Sequence, residues 1–230
     1  KARSRLTDEV FPIMTQFLPK TGVVLEAGCG PADWVLCLQS LGYRVIGLDF
    51  CESVLHTAHA QVAGLPLMVG DVLSIGLRND SVDAIISLGV IEHFENGPYE
   101  ALWEAYRVLK PGGVMLVSVP HMNKFRMLPL TERLKKSTLL RRLTGKKLTF
   151  WQYKFTLDQF AGFMKATGFV VEEMRPIYHE AGFVFDMPFL KSRTDPYQAN
   201  FIGKAICHTL KNISPWITDH MVMAIVRKPI

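Results

Sequence analysis

The chain has 230 residues, of which 49% are apolar, enough for one large domain, with or without an elaborated cap, whose core needs no disulfide or structural metal. Its four cysteines (Cys29, Cys37, Cys51, Cys207) form no CxxC pair and no zinc-spaced cluster with histidine, the pattern of reduced thiols in a cytoplasmic protein. No stretch approaches the roughly 18 apolar residues of a membrane helix. Nothing at the start reads as a signal peptide, and the net charge is +5.

Val23–Glu26 is the first predicted strand and Pro31–Leu41 the helix after it. Arg44–Asp49 follows as a strand, then a helix from about Glu52 to Val62, then a short strand at Leu65–Val69 closed by Gly70-Asp71. The turn-rich Arg78-Asn79-Asp80-Ser81 precedes a fourth strand, Val82–Ser87. A helix from about Tyr99 to Leu109 stops at Lys110-Pro111-Gly112-Gly113, and Val114–Val119 is the fifth strand. Thr156–Ala166 is a helix that starts at Thr156, Phe169–Met174 a sixth strand and Met221–Val226 a seventh. This alternation is that of a mainly parallel α/β sheet. Two segments, 121–150 and 175–220, stand outside it and are expected to form a cap over one end of the sheet.

Ligands of such sheets bind at the carboxyl ends of the strands, where the glycine turn Ala27–Asp33 must lie. A dinucleotide turn reading GxGxxG from Gly28 would need glycine at 33, and the residue is Asp33. Glu26 and Asp33 would also repel a pyrophosphate at the helix start. A cation reverses that sign. S-adenosylmethionine (SAM) carries an ammonium and a sulfonium but no phosphate, so a carboxylate at Glu26 is favourable and the third glycine is dispensable. Gly28 and Gly30 let the backbone approach such a ligand closely. Asp49, ending the second strand, suits the ribose hydroxyls, and Asp71 the adenine amino group, with Phe50 and Val72 on either face of the ring. Singly, each acid would pass for a loop residue or helix cap. Three at the ends of three successive strands form a pattern.

Four segments carry a family resemblance: VVLEAGCGPADW (23–34), VIGLDFCESVL (45–55), GDVLSIGLRNDSVDAIISLGVIEHF (70–94) and EAYRVLKPGGVMLVSVP (104–120). Together they resemble the class I SAM-dependent methyltransferases, in particular the group called type 11. The resemblance implies a Rossmann-like α/β fold with helices on both faces. Its seven-stranded sheet would be ordered 3-2-1-4-5-7-6, with strand seven antiparallel. The chain would then be a single methyltransferase domain over residues 1–230, with the two extra segments as an inserted substrate cap. It also implies SAM contacts at Glu26, Gly28, Gly30, Asp49 and Asp71, and around Ser87 and Leu88. Ala32 departs from the pattern, standing where the family often has glycine.

Methyl transfer from a sulfonium is an in-line displacement on an activated carbon, so a base is needed only when the acceptor must lose a proton. His93, in the loop after the fourth strand, is the best-placed base. The alternative is a histidine that satisfies backbone groups at a helix start. His121 is a second candidate, and Tyr153 and His179 join only if the cap folds over the pocket. Ser87-Leu88-Gly89-Val90 is not the Asn/Asp-Pro-Pro-aromatic loop common in amide and adenine methylation. Pro120-His121 is not the Pro-Cys of cytosine-C5 chemistry. No metal site is expected.

Residues 121–150 hold nine Lys or Arg against Glu132 alone, a net +8 that leaves −3 for the rest of the chain. Leucines and Phe125 interleave with the charges, making the segment basic and amphipathic. It suits an anionic membrane surface, an anionic substrate or an RNA backbone, or else the solvated face of a lid. The aromatics Tyr178, Phe183, Phe185, Phe189, Tyr197 and Phe201 would wall an apolar acceptor pocket or form a small core of the cap. The expectation is a cytoplasmic methyltransferase, peripheral to a membrane if the insert binds one, acting on a small or lipid-like acceptor at O, N or C. Its rivals are a tRNA or other RNA methyltransferase and a non-catalytic SAM-fold subunit.

Overall fold

The computed structural model describes residues 5–123, 126 and 150–230. Its elements run α1 (Phe11–Phe17), β1 (Val23–Ala27), α2 (Asp33–Ser40), β2 (Arg44–Asp49), α3 (Glu52–Gln61), β3 (Leu67–Val69) and β4 (Val82–Leu88). They continue with α4 (Tyr99–Val108), β5 (Leu109–Pro120), α5 (Leu157–Ala166), β6 (Val170–Ile177), α6 (His179–Asp186), α7 (Phe201–Ile213), α8 (Pro215–Thr218) and β7 (Met221–Arg227). Single 3-10 turns lie at Ile91–His93 and Pro188–Leu190. Among the described residues, no helix is long and apolar enough to cross a membrane.

The seven strands form one sheet in the order β3-β2-β1-β4-β5-β7-β6, as the resemblance implied. The strands from β1 to β5 pair in parallel; Leu25 sits opposite Ile46 on one side and Ile85 on the other. Parallel strands covered on both faces read as continuous apolar runs, and Ala84, Ile85 and Ile86 are fully buried in succession. β7 runs the other way. Gly112 N–H donates to Lys228 O near one end of β5 and His121 N–H to His220 O just beyond the other. Partner numbers therefore fall along β7 as they rise along β5.

Local chemistry moved several boundaries. β3 starts at Leu67 rather than Leu65, because Pro66 offers only its carbonyl, which accepts from Gly47 N–H. The helix α4 ends where the Lys110–Gly113 turn predicts, yet β5 already begins at Leu109. Leu109 pairs with Val82 and Val114 with Ala84, so the intervening residues form an irregularity in the ladder. β6 runs on to Ile177 through Pro176, which an edge strand tolerates because it has no donor to lose. Helix α1 was not expected; its only local signal is Pro12 in the first turn.

The chain divides into two compact units, one of Lys1–Val119, Asp158–Arg175 and Met223–Ile230, the other of Pro120–Leu157 and Pro176–Val222. The second has a small core of Phe183, Val184, Ala199 and Cys207, joined by Met187, Leu190 and Leu210. Of the six aromatics named above only Phe183 is buried; Phe189 and Phe201 are 76% and 88% exposed, so aliphatic side chains supply most of this core. A buried polar network accompanies it. Asp219, fully buried, lies 2.5 Å from His121 Nδ1, and Arg126 donates to Asp186 (2.9 Å) and to His121 O (2.8 Å). Apart from residues 121–123, Arg126 and Phe150, the basic amphipathic segment expected at 121–150 lies outside the described residues.

The turn into β1 constrains the first unit closely. Gly22 has φ +102°, and a Cβ there would lie 2.5 Å from Asp83 Cγ. Asp83 cannot retreat, since its carboxylate accepts from Val23 N–H (2.8 Å) and Lys110 Nζ (2.7 Å). Gly22→Ala is expected to destabilise the protein by about 2 kcal/mol or more, read as a lower urea midpoint with an unchanged m-value.

Candidate cofactor cleft

A cleft of about 570 Å³ opens at the carboxyl ends of the central strands. Gly28 lines it after β1, Asp49 and Phe50 after β2, and Gly70, Asp71 and Val72 after β3. Gly89, Val90, His93 and Phe94 line it after β4. Its size is that of a small-molecule site.

The glycine turn is held by specific bonds. Gly28 and Cys29 both donate their N–H to Leu48 O, at 2.8 and 3.0 Å, which folds the chain over the end of β2. Gly28 has φ +83°, and any Cβ there would collide with the Val90 methyl groups. Gly47 lets the turn sit close, because its Cβ would meet Cys29 Sγ at 2.9 Å. Ala32 caps α2 in the left-handed conformation (φ 59°), the conformation glycine adopts without strain.

Asp49 ties this turn to the next element. Its Oδ2 accepts from Gly30 N–H (2.8 Å) and its Oδ1 from Cys51 N–H (2.9 Å), so one carboxylate joins the glycine turn to the start of α3. Each oxygen keeps a second acceptor site. Asp71 is exposed, and its Oδ1 accepts from Leu73 N–H (2.9 Å). Phe50 is 81% exposed, an apolar ring standing in the cleft. Large exposed aromatics in a concave site mark ligand contacts.

Glu26 differs from the other two acids. It lies in β1 between Gly47 of β2 and Ile86 of β4, is 4% exposed, and its Oε2 has no hydrogen-bond partner. Burial pushes its carboxyl up to about 8; the Val35 amide and Arg5 pull it down, while Asp33 and Asp49 push it further up. Cys29 is pushed up to about 12, by burial and then by the charges of Glu26 and Asp49, so it is no nucleophile.

Of the residues singled out from the sequence, Gly28, Asp49, Phe50, Asp71, Val72 and His93 share the cleft lining. Glu26 and Gly30 are not on that lining, although Gly30 is bonded to Asp49, which is. Ser87 and Leu88 lie inside β4, opposite Val117 and Ser118, and the next two residues, Gly89 and Val90, form the wall. Sequence reasoning missed that pair, with Gly70 and Phe94, although their position just after parallel strands was the available signal. His93 sits on the turn Ile91–His93 with its side chain 42% exposed. The other candidates belong to the second unit. His121 is buried against Asp219, His179 Nδ1 lies 3.1 Å from Thr218 Oγ1, and Tyr153 lies between Phe150 and Phe155. No group of three or more His, Cys, Asp or Glu among the described residues is arranged to hold a metal ion.

Residues 25–117 match the family model described as a methyltransferase domain. A probable S-adenosylmethionine-dependent methyltransferase of Mycolicibacterium smegmatis is 31% identical over 159 residues, 69% of this chain and 56% of its own length. A probable tRNA methyltransferase 9B of Bos taurus is 31% identical over 121 residues, 50% of this chain and 26% of its own. The chain therefore spans about half or less of the length of these relatives. Among solved structures, a SAM-dependent methyltransferase from Methanosarcina mazei superposes with a TM-score of 0.66 at 18% identity, covering 95% of this chain and 98% of that one.

The burial of Glu26 has a measurable sign. Its folded value of about 8 exceeds the ordinary 4.5, so between these limits the folded chain binds more protons than the unfolded one. Without a ligand, stability is expected to fall by a few kcal/mol as pH rises through that window. Glu26→Gln should remove the Glu26 share of that fall and leave the share of Glu92, whose carboxyl burial also raises, as followed by urea denaturation at a series of pH values.

Proposed function

We propose that this chain, which belongs to the class I SAM-dependent methyltransferases, transfers a methyl group to an oxygen, nitrogen or carbon of a small or lipid-like acceptor. The observation that carries this is the cleft itself, where His93 shares one lining with Asp49, Phe50, Asp71 and Val72. SAM supplies a methyl group on a positively charged sulfur, already activated for in-line displacement.

The residues present fit that group. The unpartnered Glu26 Oε2 suits an ammonium, which would also stabilise the ionised carboxylate that burial disfavours. The remaining acceptor sites of Asp49 suit ribose hydroxyls, Asp71 the adenine amino group, and Phe50 and Val72 the faces of the ring. His93 takes the acceptor's proton where there is one to lose. Most of the rate enhancement then comes from positioning. In this proposal residues 1–230 act as one methyltransferase domain, with 121–150 and 175–220 as its acceptor cap.

A second acceptor class, tRNA, is favoured by one relative's name and by the nine Lys and Arg of 121–150. Anisotropy with unfractionated tRNA separates the two. A steep loss of affinity from 50 to 200 mM salt favours RNA, and no binding at low salt leaves the small acceptor. The same segment, if it meets a membrane, should bind anionic but not neutral vesicles.

Titration calorimetry tests the cofactor assignment. The wild type is expected to bind SAM and, near pH 7, to release a proton as Glu26 ionises. Gly28→Ala, which pushes a methyl group into Val90, and Asp49→Ala, which frees the glycine turn, should each weaken SAM at least tenfold, about 1.4 kcal/mol. A wild type with no detectable SAM binding would point instead to a non-catalytic subunit.

A further inference from the structure

Glu92 is a buried acid that no cofactor role uses. It is the middle residue of the turn Ile91–His93, directly before the imidazole that lines the cleft, and is 2% exposed where the His93 side chain is 42% exposed. Glutamate is almost never this buried unless paired. Its Oε2 has no hydrogen-bond partner, and its Oε1 lies 4.0 Å from His93 Nε2. Beside its own backbone amide, the charged group that the geometry brings to ion-pair distance of this carboxyl is the imidazole. Burial pushes the carboxyl up to about 7, while its own backbone amide and His93 draw it back. Among the described residues, Asp49 and Asp71 share the cleft lining with His93, and Glu95 follows on the same loop.

We propose that Glu92 is the positioning residue for His93, orienting the imidazole at the cleft and holding the charge it gains on accepting the acceptor's proton. This rests on the assignment of His93 as the base. In the step, a lone pair on the acceptor oxygen or nitrogen forms the new bond to the methyl carbon. The carbon–sulfur bond breaks and its electrons pass to sulfur, which becomes neutral. The acceptor's proton goes to the His93 nitrogen farther from Glu92, then to water at the exposed edge of the ring. One proton is released per methyl transferred, and no further reactant is needed. A buried carboxylate at ion-pair distance stabilises the imidazolium more than an exposed one, because little water screens it.

The test needs no acceptor. In the full chain with labelled histidine, the His93 Cε1–H resonance is followed against pH. The wild-type signal should carry a step from the Glu92 proton, because the ring lies beside that carboxyl. Glu92→Gln should lose one step and Glu92→Asp should regain it; an unchanged curve in Glu92→Gln overturns the pairing. Should Glu92→Gln fail to fold, His93→Asn serves, since that side chain is part-exposed. The Glu92 carboxyl should then titrate at least about half a unit higher, with its cationic neighbour gone, and no movement counts against the proposal. Calorimetry with SAM on the same samples keeps the failures apart. A wild type that binds no SAM removes the base assignment, whereas SAM binding with an unchanged titration removes only the pair.

Discussion

A carboxyl group in the middle of a parallel sheet is expensive to bury, and this fold buries one at Glu26, between Gly47 and Ile86, with one oxygen unpaired. Desolvation is the largest influence on it, stronger than Arg5 or the Val35 amide. Such a cost persists in a native structure where function depends on it. The cleft lining begins two residues beyond that acid, at Gly28. The glycine turn follows Glu26 directly, Gly28 and Cys29 bond back to Leu48, and helix α2 begins at Asp33, as soon as the turn is complete.

The acids that end successive strands have different duties. Asp49 is an architectural clamp as well as a cleft residue, because both its oxygens accept backbone N–H groups from the elements it joins. Asp71 orders its own turn through Leu73 and stays exposed. Glu26 alone among the three has a buried oxygen without a partner. The exposed ring of Phe50 adds unmet apolar capacity on the cleft lining, to which Glu26 itself does not belong.

Among the described residues of the second unit, several titratable groups serve its own packing. His121, Asn123 and Arg126 converge on Asp219, Asp186 and backbone carbonyls. His179 is likewise buried, beside Thr218. Buried polar groups of this kind are held in place by one another. His220, stacked on Phe185, is pushed down to about 4 by burial and then by Arg126 and Lys154, so it stays neutral through the physiological range.

The sheet was legible in the sequence because each strand there is a short apolar run between strong turn signals, and the order followed from the family motifs. The sign of the cofactor's charge was equally legible, since Glu26 and Asp33 flank a glycine turn that has no third glycine. Boundaries were less so: Pro66 gives β3 only its carbonyl, Pro176 stays within the edge strand β6, and β5 already pairs at Leu109, opposite Val82. Only the tertiary structure decided which residues after β4 form the wall, because that depends on Val90 meeting the side of Gly28 that lacks a Cβ. It also decided that Glu92 is buried beside an exposed His93, two neighbours in sequence whose environments differ because the short turn sends one side chain inward and the other into the cleft.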